Sequence, residues 1–205
     1  AARIEAFWKR MPESCAGIAV YGDRRYNAEL AYFTNLVPKL RDALALIPRK
    51  GAPKLLVSGG KNAMPPAARQ TWLPAIDPLP DPGKAIAEWT AELKGPVALI
   101  GGEQLRSALR KDIDEALGHD RASKQACGVL REQMRSKRPR ELAALRESCA
   151  MVGAVAAELA QAKRAGAGVT AAVVQAEHAA IKLGAQEVRT LFSLDGGKTL
   201  RPFVS

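Results

Sequence analysis

Residues 140–165 form one uninterrupted alanine-rich stretch, opened by Pro139 and closed by Gly166 and Gly168. This composition predicts a long α-helix. Leu142, Leu145, Cys149, Val152, Val155, Ala156 and Leu159 fall on one face of it. Thr170 suits the N-cap of a second helix, Ala171 to Leu183, closed by Gly184. Val188 to Leu194 and Thr199 to Val204 read as strands, with Asp195-Gly196-Gly197-Lys198 as the hairpin turn. Two helices and one hairpin cannot cover each other's apolar faces. The segment is therefore expected to be an incomplete domain, finished by other polypeptide.

The texture before about Gly118 is different. Ala2 to Met11 predicts a short amphipathic helix ended by Pro12, with Ile4, Phe7, Trp8 and Met11 at helical spacing. Ala16 to Tyr21 reads as a buried strand turning at Gly22-Asp23, and Leu30 to Thr34, aromatic and branched, as a second. Ala43 to Ile47 and Leu55 to Ser58 read as a hairpin around Gly51. The four prolines of Pro74 to Pro82 demand an extended chain, and Pro82 opens a helix, Gly83 to Leu93. Val97 to Ile100 predicts a strand, Gly101-Gly102 a turn, and Glu103 to Leu117 a helix. Residues 119–128 read as polar and irregular. The first part is thus α/β.

The 205 residues carry a formal charge of +10, and the densest basic cluster is Arg131, Arg135, Lys137, Arg138 and Arg140. No aromatic residue interleaves that cluster, which argues against nucleic acid. An acidic partner chain fits the charge better. Three well-separated cysteines exclude a disulfide scaffold, and with no long apolar run they point to a cytoplasmic protein without a membrane span. His119 and His178 have no second ligand at metal spacing. Asp112, Asp114 and Glu115 share a charged helix with Arg110 and Lys111 and read as a solvated face. No local base activates Cys15, Cys127 or Cys149, which read as buried structural thiols. Gly196-Gly197-Lys198-Thr199 lacks the upstream glycine of a phosphate loop, Phe192 standing there. The residues taken singly yield no catalytic constellation.

The order of segments carries more. Tyr21 to Ile47 contains Tyr32-Phe33-Thr34 followed by Asn35; Leu130 to Met151 contains Arg135, Lys137, Glu141, Leu145 and Arg146; Gly166 to Ser193 contains Gly168, Thr170, Glu177, Gly184 and Ala185. In this order the chain resembles the creatinase/prolidase/aminopeptidase P family of pita-bread metalloenzymes, with Asn35 where glycine is common. The resemblance implies a creatinase-type N-terminal α/β domain with a mixed sheet, residues 1–128. Residues 129–205 would be a linker helix and the first part of the pita-bread domain, an α+β segment of two helices and a hairpin.

The resemblance also implies what this chain lacks. The family's two Asp, one His and two Glu metal ligands map onto none of its residues. The chain is then expected to be a non-metal-ligating subunit or processed fragment of a metal-dependent hydrolase, contributing scaffold, dimer contacts and part of the substrate pocket. A divalent metal (Mn, Co, Zn or Fe) is expected on a second chain carrying the metal-binding half, with a dimer of such pairs as the higher assembly. Catalytic and metal-ligating residues are expected in this chain at no position. Tyr32, Phe33, Thr34, Asn35, Lys39, Arg41 and Phe203 are the candidate substrate-binding residues. Lys39 or Arg41 would pair with a carboxylate. Phe203 stands where the family often has a pocket histidine, which points away from ordinary proline-peptide hydrolysis and towards a nonpeptide C–N bond; the substrate is expected to be a small molecule or peptide. A noncatalytic binding or regulatory protein on the same scaffold is the alternative.

Overall fold

The computed structural model describes residues 2–39, 41–105, 110, 111, 113, 114, 117, 121–185, 187–193 and 195–203. It divides into two compact units, residues 1–136 and 137–205.

The first unit is built on a five-stranded mixed sheet. Its strands are β1 (Gly17–Asp23), β2 (Asp42–Pro48), β3 (Lys54–Val57), β4 (Ala75–Pro78) and β5 (Val97–Ile100), in the order β4-β3-β2-β1-β5. The β1–β2 and β2–β3 pairs are antiparallel, and β1–β5 and β3–β4 are parallel. Strands covered on both faces need apolar residues at successive positions, and β1, β2 and β5 have them. Ile18, Val20, Ala45, Ile47, Leu55 and Ile100 face one core with Phe7, Leu30, Phe33 and Leu130. Ala19, Tyr21, Leu44, Leu46, Leu56 and Leu99 face the other with Ile86 and Ile113.

The first core is covered by α1 (Ala2–Trp8), α2 (Ala28–Thr34) and α5 (Arg121–Arg135). The second is covered by α4 (Pro82–Ala91), whose first turn is capped by Asp81 accepting from the Lys84 N–H at 3.1 Å. A turn of 3-10 helix, Gly60–Ala63, leads into the short α3 (Met64–Ala68). Glu103 sits in another 3-10 turn, Gly102–Gln104, and the described residues among 110–117 are helical. The rest of the helix expected over 103–117 lies outside the described residues. Gly101 links β5 to that turn with φ +79°, and a Cβ there would stand 2.3 Å from the Tyr21 carbonyl oxygen. Only glycine fits that approach.

Two expectations are corrected in the first unit. Leu30 to Thr34 is helix and not strand, because a short helical run with Leu30, Tyr32, Phe33 and Thr34 all buried reads as apolar as a core strand. Residues 121–128 are not irregular but open α5, whose Ala126 and Leu130 are buried while Lys124 and Arg131 face water; residues 119 and 120 lie outside the described residues. The α5 helix runs across position 128, and the division into compact units falls at Ser136/Lys137.

The second unit holds α6 (Pro139–Arg164), α7 (Val169–Lys182) and a two-stranded antiparallel hairpin, β6 (Leu191–Phe192) with β7 (Arg201–Pro202). Pro139 opens α6, and the Arg138 N–H donates to Glu141 Oε2 at 2.8 Å. The N-cap of α7 is Gly168, so Thr170 lies inside the helix rather than at its cap. Gln175 Nε2 ties α7 to Glu158 of α6 at 3.0 Å. On α6 Ala162 is buried, whereas Leu142, Leu145 and Val152 are 39%, 49% and 68% exposed. The apolar stripe expected on that helix is therefore largely bare. Cys149 lies exposed on it, against the expectation of a buried thiol. Among the described residues no helix is long and apolar enough to cross a membrane.

Candidate functional site

The loop between α2 and β2 starts from a rigid base. Asn35, in the left-handed region at φ 63°, ends α2 with its N–H bonded to Ala31 O at 2.8 Å. Asn tolerates that conformation at a helix C-terminus, where glycine is the usual choice. Thr34 is fully buried; its hydroxyl donates to Leu30 O at 2.8 Å and accepts from the Leu36 N–H at 3.0 Å. The Thr71 hydroxyl donates to Thr34 O at 2.7 Å, and Trp72 Nε1 to Phe33 O at 2.9 Å. Arg3 donates to Tyr32 O at 2.6 Å and lies 4.5 Å over its ring, while Gln133 Nε2 donates to the Tyr32 hydroxyl at 3.3 Å. Tyr32, Phe33 and Thr34 thus anchor the loop, and Asn35 sets its exit.

Beyond this base the loop borders a cavity of about 90 Å³. Leu36, Pro38, Val57 and Ala67 supply apolar wall; Ser58, Asn62 and Gln70 supply polar groups; Lys39 and Arg41 stand on its rim. The Val37 N–H donates to Gln70 Oε1 at 3.4 Å, tying the loop to α3 and the turn that follows it. Asp42 is engaged on both oxygens, by the Ser58 hydroxyl and by the Tyr21 hydroxyl at 3.3 Å. Neither Lys39 nor Arg41 forms an ion pair with a described acid, and both are exposed. The result is a small apolar recess with two cations at its mouth, a setting for a carboxylate.

The structure brings together Lys39 and Arg41 of the candidate residues. Ser58, Asn62 and Gln70 were missed; the Ser58-Gly59-Gly60 run after β3 was the available signal, since Gly59 and Gly60 both have positive φ and turn the chain back to the loop. Phe203 belongs to the second unit, where its ring meets Phe192 edge-on at 6.2 Å and its N–H donates to Thr190 O at 3.0 Å. That unit has its own groove of about 600 Å³, lined by Val152, Val155, Leu159, Val173, Val188 and Leu191 among others.

The remaining groups of interest are accounted for locally. Burial pushes the Cys15 and Cys127 thiols up from their ordinary value, the state of inert thiols. Asp114 pairs with Arg110 at 2.7 Å, while Asp112, Glu115 and His119 lie outside the described residues. Asp195 holds the hairpin turn: the Ser193 hydroxyl, then the Thr199 hydroxyl and N–H, bring its carboxyl down to about 2. Among the described residues no group of three or more His, Cys, Asp or Glu could hold a metal ion, and His178 is exposed on α7. The described residues thus do not fit a metal centre.

No family model matches the chain, and no curated protein matches it. Solved structures share its fold. An Xaa-Pro dipeptidase from Bacillus anthracis gives a TM-score of 0.65 at 15% identity, over 90% of this chain and 50% of that one. An X-Pro aminopeptidase from Thermotoga maritima MSB8 gives 0.59 at 18% identity, over 83% and 48%. A prolidase from Pyrococcus furiosus gives 0.56 at 9% identity, over 87% and 49%. The chain spans about half the length of these structures, and the fold class expected from the sequence is the one observed.

Proposed function

We propose that this chain contributes the N-terminal α/β domain and the first part of the catalytic domain to a metal-dependent hydrolase acting on a C–N bond. The fold match carries the reading: nine-tenths of the chain superposes on half of a dipeptidase. The bare apolar faces of α6 and α7 support a covering polypeptide, since Leu142, Leu145, Val152, Val174 and Ile181 are each more than a third exposed. In this reading a second chain, more acidic than this one, carries the divalent metal (Mn, Co, Zn or Fe) and its ligands, and such pairs dimerise in the cytoplasm. When bound, the metal supplies an activated water for hydrolysis. The residues of this chain bind and orient: Lys39 and Arg41 receive the carboxylate of a small-molecule or peptide substrate, on a loop held by Tyr32, Phe33, Thr34 and Asn35.

Phe203 favours a second reading. Its ring is packed on Phe192 where the resemblance expects a histidine. A scaffold that has kept its binding role without catalysis would carry such a change.

Native mass spectrometry of gently purified protein, with metal content measured on the same sample, tests the proposal. A complex of this chain with a second chain and a divalent metal supports the split hydrolase. A stable, metal-free assembly of this chain alone refutes it and leaves the binding protein.

A further inference from the structure

We propose that the cavity beside the 36–41 loop binds a short-chain carboxylate, a monoanion with an apolar body of about three to five carbons, and that the first unit does so by itself. This rests on the reading of Lys39 and Arg41 given above, and adds a ligand class and independence from any second chain.

Charge sets the sign of the ligand. Two exposed cations, Lys39 and Arg41, stand on the rim without an ion-pair partner among the described residues. The one acid in the lining is Asp42, and both of its oxygens already accept hydrogen bonds, from Ser58 and Tyr21. The amide of Asn62 and Nε2 of Gln70 add donors that no described residue uses. Arg41 presents a fork that matches a carboxylate with two parallel bonds.

Volume and wall chemistry set the rest. A water-sized group needs roughly 10–15 Å³ of such space, so the cavity of about 90 Å³ takes a handful of heavy atoms and not a length of peptide. Its lining includes the buried Leu36, Val57 and Ala67, with Ala63 half-buried beside them. A phosphate, charged on every side, would lose hydration against that wall without compensation. A carboxylate places its charge at the rim and its hydrocarbon inward, as the lining demands.

The experiment is a titration of the 15N-labelled full chain, read by amide shifts, with sodium isobutyrate, isobutyramide and sodium phosphate at matched ionic strength. Saturable shifts confined to residues 36–43 and 58–70 are expected, with isobutyrate at least tenfold tighter than either other probe. Lys39→Gln with Arg41→Gln should weaken isobutyrate at least tenfold. Ala63→Leu, which fills the recess and keeps both cations, should abolish saturation with the remaining spectrum unchanged; Ala67→Val serves if that variant fails to fold. Equal binding of isobutyramide or of phosphate, isobutyrate binding unaffected by both filling variants, or no shift at these residues would overturn the inference. None of these results depends on a second chain or a metal, so failure here and failure of the hydrolase proposal are separate outcomes.

Discussion

Arg49, the residue after β2, provides the sharpest test of how the first unit is held together. Its guanidinium donates to Cys15 O at 2.8 Å, Met11 O at 3.2 Å, Trp8 O at 3.4 Å and Pro12 O, and lies 4.6 Å over the Trp8 ring. It closes the carbonyl ends left open where α1 stops and the chain turns towards β1. A hydrogen bond from a charged donor is worth roughly 1.5–3 kcal/mol net, and a cation over an aromatic ring roughly 0.5–1 kcal/mol. The group is half-buried and its bonds share one cation, so the sum must be discounted; two full bonds' worth is a fair figure. Arg49→Met, which keeps the packing on Trp8, should cost about 3 kcal/mol. Arg49→Lys should cost about 2 kcal/mol, because an ammonium has three N–H donors on a single atom and cannot replace a fork that reaches four carbonyls. Urea unfolding followed by tryptophan fluorescence would read this as a lower midpoint at unchanged slope. Because the partners are carbonyls and not acids, 0.5 M NaCl should leave the difference intact. A cost below about 1 kcal/mol for Arg49→Met, or one that vanishes in salt, refutes the argument.

Three further outcomes are expected. Gly101→Ala should cost about 3 kcal/mol, since it combines positive φ with a clash on Tyr21 O, whereas Gly166→Ala, at φ +73° with open space around it, should cost about 1 kcal/mol; equal thermal shifts would remove the role of the close approach. Asp195 should titrate near 2 by carboxyl NMR, below its unfolded value of roughly 3.9, so its support of the hairpin is complete above that value and is lost as pH falls through 2; Ser193→Ala should raise the midpoint, and no change would exclude the hydroxyl as its cause. Cys149 should react with a thiol reagent as fast as a free cysteine and Cys15 and Cys127 far more slowly, with Cys149→Ala abolishing the fast phase; a fast phase that survives would contradict the shielding of the buried Cys15 and the half-buried Cys127.

Elements with strong local chemistry were legible in the sequence. Pro82 and Pro139 mark helix starts, the Asp195-Gly196-Gly197 turn marks a hairpin, and the apolar runs at β1, β2 and β5 mark strands with two buried faces. The α2 helix was misread because Leu30, Tyr32, Phe33 and Thr34 are all buried, which erases the polar face that distinguishes helix from strand. The first half of α5 was missed because its inner face is made of small residues such as Ala122 and Ala126, which carry little hydropathy contrast. Of the candidate site, Lys39 and Arg41 could be picked out locally. Their neighbours Ser58, Asn62 and Gln70 come from two other segments, and only the order β3-β2-β1 in the sheet, which no local pattern encodes, sets them beside the loop.

The place of β1 in the sheet bears on how the chain is made. One side of β1 pairs with β2, and the other waits for β5, whose Val97 stands opposite Gly17 at a separation of 80 residues. Synthesis at roughly 5–20 residues per second leaves that side of Ile18 and Val20 open for about 4–16 seconds after β1 has formed. Once β2 is made, the paired β1 and β2 present apolar side chains and a row of unpaired backbone amides and carbonyls to their surroundings until β5 arrives. A chaperone that recognises extended apolar segments would find its substrate there, and a faster-translated message would shorten the exposure.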